Sequence, residues 1–251
     1  MSMNTALKNK DIKTLIAHDI KKEYRKTYVV KGVDLKVAQG EIVGLLGPNG
    51  AGKTTTFYMI TGLIKANDGD IYINETPLTK MPMYLRARMG IGYLAQEASI
   101  FRRLTTEENL IAILETQGLT RHEINMRTEE LLTEFSITHI AKRKAYMLSG
   151  GERRRTEIAR ALCSNPAFLL MDEPFAGIDP IAVLDIQKMI MHLKKRDIGV
   201  LITDHNVRET LKITDRSYIM YDGKIRFSGT PKELIENKEA RKIYLGQDFT
   251  M

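Results

Sequence analysis

GLLGPNGAGKTTTFYMITG, residues 44–62, places five glycines, a proline and an asparagine around a lysine followed by three threonines. The run that leads into it, Ile42-Val43-Gly44-Leu45-Leu46, is short, apolar and partly β-branched, the pattern of a buried strand. Gly47-Pro48-Asn49-Gly50-Ala51-Gly52-Lys53-Thr54 then fits G-x-x-x-x-G-K-[ST] without a mismatch, and Thr55 to Leu63 continue as a helix. Strand, glycine loop and helix form the context that makes this pattern a phosphate-binding loop. Glycines let backbone N–H groups turn inward around an anion, and the helix N-terminus adds its own unpaired N–H groups and partial positive charge. Lys53 would neutralise the β- and γ-phosphates of a nucleoside triphosphate. Thr54 would offer its hydroxyl to Mg²⁺, and Thr55 is placed to reach the α-phosphate. The competing reading is a plain glycine-rich strand-to-helix turn.

The bulk numbers narrow the field around that loop. The chain has 251 residues, 43% hydrophobic and 27% charged, an ordinary globular balance. A single cysteine, Cys163, excludes an internal disulfide and fits a reducing compartment. No apolar stretch approaches the roughly twenty residues that span a bilayer, and MSMNTALKNKDIK lacks the apolar core of a signal peptide. The net charge of +7 suits nucleic acid, an anionic membrane surface or a solvated basic face, and composition does not choose among them.

Residues 15–24, 29–37, 41–46 and 69–74 read as strands. From Thr105 to about Ala145 apolar residues recur every three or four positions, which predicts a helical insert capped by Thr105 or Thr106. AFLLMDEP (167–174) and GVLITDH (199–205) read as strands, with a helix over 180–195 between them. This alternation argues for an α/β fold with a parallel sheet. SYIMYDGKIRFSG reads as a hairpin, and a charged helix over 231–243 closes the chain. In such a sheet a ligand sits outside the carboxyl ends of the strands, where Gly47, Asp172-Glu173 and His205 all fall.

Four apolar residues run into Asp172-Glu173. Asp172 would hold the hydration shell of Mg²⁺, which takes few carboxylates, and Glu173 could polarise an attacking water as general base. The alternative is an acidic strand end. Ser149 and Glu152 have the spacing of a capping box. That explains the serine and the glutamate but not Gly150 and Gly151, which weaken a first turn. A serine and two glycines there make a second anion site. Arg153, Arg154 and Arg155 add positive charge to it or form a solvated face.

Gly47–Thr54, Leu148–Glu152 and Phe168–Glu173, in this order, resemble the ATP-binding subunit of ABC transporters over nearly the whole chain from Thr14. The resemblance implies a P-loop NTPase core with a mixed sheet, an antiparallel β subdomain and an α-helical subdomain. It forms one domain over 1–251, with core and β subdomain in 1–96 and 159–251 and the helical part in 97–158. It implies that Gln96 contacts Mg²⁺, that His205 touches the γ-phosphate, that Gly177-Ile178-Asp179 crosses a dimer interface and that Tyr24 stacks on adenine. It implies ATP and Mg²⁺ as ligands, with Lys53, Glu173 and His205 catalytic. ATP lies between one chain's P-loop and Ser149-Gly150-Gly151 of a second copy. GIGYLAQEASIFRRLT, LSGGERRR, DEPFAGIDP, LITDHNVRET and KIYLGQDF further resemble the ATPases of bacterial lipopolysaccharide export. Those imply a homodimer under two transmembrane permease subunits, peripheral on the cytoplasmic face of the inner membrane, with no nucleic acid as partner. Three departures stand out. Ala95 replaces the usual proline before Gln96, the first dozen residues form an extension, and the tail ends Thr250-Met251 where a basic residue and a leucine are usual.

Two other classes fit less well. Soluble ABC ATPases of DNA repair or translation carry two such domains or a long coiled coil, and about fifty residues between Gln96 and Ser149 leave no room for one. A nucleotide-binding regulator would lack Lys53, Glu173 or His205. Within transport, a branched-chain amino acid importer is the runner-up. Ser99-Ile100-Phe101-Arg102-Arg103-Leu104 sets an apolar pair before two arginines. Either the pair is tucked into the core, or Phe101 with Arg102 or Arg103 forms a groove wall that receives a helix of the membrane partner.

Overall fold

The computed structural model describes residues 12–246. Residues 1–11, nearly all of the extension expected over the first dozen, and the tail from Gln247, with its ending Thr250-Met251, lie outside them. Two sheets organise the chain. The first is antiparallel, in the order β2-β1-β4-β5, from β1 (Thr14–Tyr24), β2 (Thr27–Ala38), β4 (Asp68–Ile73) and β5 (Thr76–Pro77). The second is mixed, in the order β10-β9-β3-β8-β7-β6. It comprises β3 (Ile42–Leu46), β6 (Ile91–Leu94), β7 (Phe168–Asp172), β8 (Gly199–Thr203), β9 (Arg216–Tyr221) and β10 (Lys224–Gly229). Only β10 runs antiparallel there, as the second arm of the expected hairpin.

The central strands β3, β7 and β8 are buried along their full length, which is why they read as unbroken apolar runs. Alternate side chains serve opposite faces. Phe168 and Leu170 join Leu45, the helix α1 (Lys53–Thr61) and the inner face of the antiparallel sheet. Leu169 and Met171 join the helices on the other side. These are α3 (Thr106–Leu114), α4 (Arg121–Glu134), α5 (Gly150–Leu162) and α6 (Pro180–Lys195); α2 (Met83–Arg88) precedes β6. The insert is helical as expected, and Thr105, not Thr106, caps it in a reciprocal box with Glu108. Residue 158, the limit expected for the helical part, falls inside α5.

One expected strand carries a bulge, and one expected helix is broken. Gly32 sits within β2 at φ +88, where the register steps from Ile20↔Val33 to Lys21↔Lys31. It is the extra residue of a bulge, a conformation that glycine adopts without steric cost. The closing helix expected over 231–243 is broken. α8 (Pro231–Glu236) stops at Asn237, whose side chain accepts the N–H groups of Glu239 and Ala240 and opens a new turn. An asparagine offers the backbone a cap that competes with continued helix. Among the described residues no helix is long and apolar enough to cross a membrane.

Candidate active site

The parallel neighbours β3, β8 and β7 deliver their carboxyl ends to one edge of the sheet, with Asp172 opposite Thr203. The glycine loop leaves β3 there. Gly47 has φ +152, and a Cβ on it would meet the Met220 carbonyl oxygen at 2.2 Å, so only glycine fits. Gly52, at φ +102, caps α1 without a side chain. The Thr56 N–H donates to the Gly52 carbonyl, so the N–H groups of Lys53, Thr54 and Thr55 precede the first intrahelical bond. The Lys53 ammonium donates to the carbonyls of Gly47 (2.7 Å) and Pro48 (3.0 Å). Burial pushes its pKa down, while Glu173, Asp172 and Asp204 oppose that shift. Thr54 and Asn49 are exposed at the mouth of the loop. The loop thus presents donors with a cation folded over two neutral carbonyls that an anion can replace.

Glu173 follows β7 with φ +44, an uncommon conformation for a residue with a side chain. Its N–H donates to the Thr203 carbonyl at 2.8 Å. The Gln96 amide Nε2 donates to Glu173 Oε2 at 2.8 Å, and His205 Nδ1 lies 3.4 Å from the same oxygen. Asp172 is buried and accepts a 2.6 Å hydrogen bond from the Thr203 hydroxyl. Burial pushes its carboxyl pKa up, against that hydrogen bond. A carboxylate held between an amide and an imidazole can take a proton from water. A second one, facing the charge of Lys53, suits a hard cation. Among the described residues no three His, Cys, Asp or Glu side chains gather to hold a metal.

Ser149 caps α5 in a box with Glu152. Ser149, Gly150 and Gly151 line a cleft of about 430 Å³ with Gln96, Glu173 and Asp179, and no residue of the glycine loop lines it. The arginine run divides. Arg153 is exposed, Arg154 is buried with its guanidinium on the Ala95 carbonyl and Glu157, and Arg155 pairs with Asp185. Only Arg153 is free to act as surface charge. Tyr24 is exposed at the end of β1, with the Lys22 ammonium 5.3 Å from its ring centre.

The Ile100-Phe101 pair divides as well. Ile100 is 6% exposed and joins the helical core, whereas Phe101 is 44% exposed under the Arg160 guanidinium, 4.9 Å away. Phe101, Met83, Tyr93, Leu94 and Ile113 line a groove of about 270 Å³, and Arg102 and Arg103 stand exposed beside it. Buried Asn109 bonds both the N–H and the carbonyl of Phe101. Asn109, Thr203 and Asp204 escaped the sequence reading. Thr203 and Asp204 did leave a signal, since GVLITDH ends as polar as FLLMDE does.

A family model described as ABC transporter matches residues 30–176. The chain belongs to that family. It is the ATP-binding, ATP-hydrolysing subunit of an ABC transporter. This cassette is 53% identical to the lipopolysaccharide export system ATP-binding protein LptB of Acidithiobacillus ferridurans, over 94% of this chain and 98% of that one. To LptB of Escherichia coli K12 it is 52% identical, over 95% and 99%. An uncharacterized ABC transporter ATP-binding protein of Rhizobium meliloti is 56% identical, over 95% and 88%. Among solved structures, an ABC transporter cassette in its ADP conformation superposes with TM-score 0.83 at 29% identity, over 94% and 99% of the two chains. A dimeric post-hydrolysis cassette bound to ADP and Pi gives 0.75 at 25%, over 86% and 98%. The cassette therefore has the ABC ATPase fold, with its mixed sheet, antiparallel sheet and helices.

Proposed function

We propose that this cassette drives lipopolysaccharide export. It works as a homodimer beneath two transmembrane subunits, peripheral on the cytoplasmic face of the inner membrane. The observation that carries this reading is the identity of 52–53% with LptB proteins over nearly the full length of both chains. The dimeric cassette among the similar structures supports the pairing. So does the cleft at Ser149, which the chain's own glycine loop does not line.

In this reading ATP lies between the loop of one copy and Ser149-Gly150-Gly151 of the other. Lys53 exchanges its two carbonyl acceptors for phosphate oxygens, and the opening N–H groups of α1 add theirs. Tyr24 stacks on the adenine. Thr54, Asp172 and Gln96 would hold Mg²⁺, which would supply positive charge to the transferring phosphoryl group. Glu173 takes the proton of the attacking water, with Gln96 and His205 orienting its oxygen. Residues 97–158 form the helical part, and the groove wall of Phe101 and Arg102 receives a helix of the membrane partner. The rest of the chain, 1–96 and 159–251, is the nucleotide-binding core with its β subdomain.

Extraction of the assembled complex in mild detergent, with this chain as bait, tests the reading. Two integral membrane subunits and co-purifying lipopolysaccharide are expected. Recovery with the subunits of an amino acid importer would overturn it.

A further inference from the structure

We propose that Asp204 is a positioning residue for ATP hydrolysis, a buried clamp that joins the two loops carrying Glu173 and His205. The proposal rests on the reading of Glu173 as the base. Asp204 follows β8 and is 0% exposed. One carboxylate oxygen accepts the Phe175 N–H at 2.9 Å, and the other accepts the Asn206 N–H at 2.7 Å. Phe175 lies two residues beyond Glu173, and Asn206 directly follows His205.

The residue type is dictated by the donors. Two backbone N–H groups from different loops converge on one side chain. A carboxylate offers two acceptor oxygens and no donor, whereas an amide offers one acceptor and a serine only a single oxygen. Burying a carboxylate is costly unless its oxygens are bonded, and charge-assisted bonds to N–H groups are the strong kind.

What the clamp holds in place is Glu173. That residue keeps φ +44, a conformation that persists only where surrounding contacts over-determine it. Its own N–H is pinned to Thr203, and Asp204 pins the turn two residues later. Without the second pin the turn can relax toward ordinary backbone angles and carry the Glu173 carboxylate with it. A displacement of about 1 Å at a reacting group costs on the order of a hundredfold in rate. Asp204 forms no hydrogen bond with the glycine loop and reaches Lys53 only through its charge, so ATP binding is affected less than hydrolysis.

The test uses the full chain assembled as an active ATPase. Asp204→Asn keeps the size but turns an amide N–H₂ toward one of the two N–H groups. We expect kcat to fall about tenfold or more, with the Kd for ATP changed less than about threefold. In the Glu173→Gln background the same substitution should alter the residual rate less than about twofold, because no base remains to be misplaced. Equal losses in both backgrounds would mark a residue that only supports the fold, and would overturn the proposal. So would an unchanged kcat. Should Asp204→Asn not fold, amide hydrogen exchange of the unaltered protein decides: Phe175 and Asn206 must both be protected, and free exchange at either refutes the clamp. If Glu173→Gln alone keeps more than a tenth of the activity, it is the base reading that fails, and amide protection then judges the clamp by itself.

Discussion

Gln96 and Glu173, in loops that follow neighbouring strands, share a 2.8 Å hydrogen bond from the glutamine amide to the glutamate Oε2. They meet because β6 pairs with β7 in parallel, Leu94 opposite Met171, so both loops emerge at the same edge. His205 reaches the same oxygen from β8. A carboxylate so placed loses its basicity, but not its shape, when it becomes an amide. Glu173→Gln should therefore bind ATP with near-normal affinity and hydrolyse it at least a hundredfold more slowly, within the roughly 10²–10⁴-fold range of a general base. A loss below tenfold in a steady-state phosphate-release assay assigns the proton transfer to another group.

Complementation tests the shared site. Ser149→Phe should leave ATP binding at the glycine loop intact while abolishing hydrolysis. Loss of the α5 cap adds a cost of about 1 kcal/mol in stability, so folding is checked by melting. Lys53→Ala removes the ammonium from the other half-site. Mixed dimers of the two variants regain one composite site with both halves wild-type, and a measurable fraction of activity should return. Demonstrated mixed dimers with no recovery would count against the shared site, unless both sites must fire together.

Ile100 and Phe101 should separate stability from coupling. Ile100→Ala opens the helical core and should cost about 2–4 kcal/mol of stability. Phe101→Ala removes an exposed ring and should leave Tm and the solitary ATPase rate nearly unchanged. Its binding to the membrane subunits should weaken by about 2 kcal/mol or more, and transport should fail. Melting curves, ATPase rates and subunit co-purification on the two variants read all three. A Phe101→Ala protein that assembles and transports normally sinks the coupling role.

Gly47 and Gly50 both have positive φ, but only Gly47 faces a backbone collision. Gly50→Ala carries the conformational strain alone, about 1–2 kcal/mol. Gly47→Ala must in addition push the loop from the Met220 carbonyl. We expect Gly47→Ala to lose ATP binding by more than tenfold and to melt several degrees below Gly50→Ala, at about 2–4 °C per kcal/mol for a chain of this size. Equal melting temperatures would show that the loop shifts freely.

What the sequence determined by itself is local. Gly47 to Thr54 declares its loop because the glycines, lysine and threonine act within eight consecutive residues. The cap at Ser149 is legible because a capping box closes over three residues, while the sequence narrows the cap of the insert only to Thr105 or Thr106. The buried central strands showed as apolar runs because both of their faces are covered. The tertiary structure decided what depends on neighbours. Gln96, Glu173 and His205 converge because the sheet order β3-β8-β7-β6 is not the order of the chain. Ile100 turns inward and Phe101 outward, and Arg154 is buried while Arg153 is not, because adjacent side chains point in different directions and only packing says which direction is the core. In the sequence Asp204 is only an acid that follows an apolar run. Its role depends on two N–H groups, one of them 29 residues away, and no local rule brings that loop beside it.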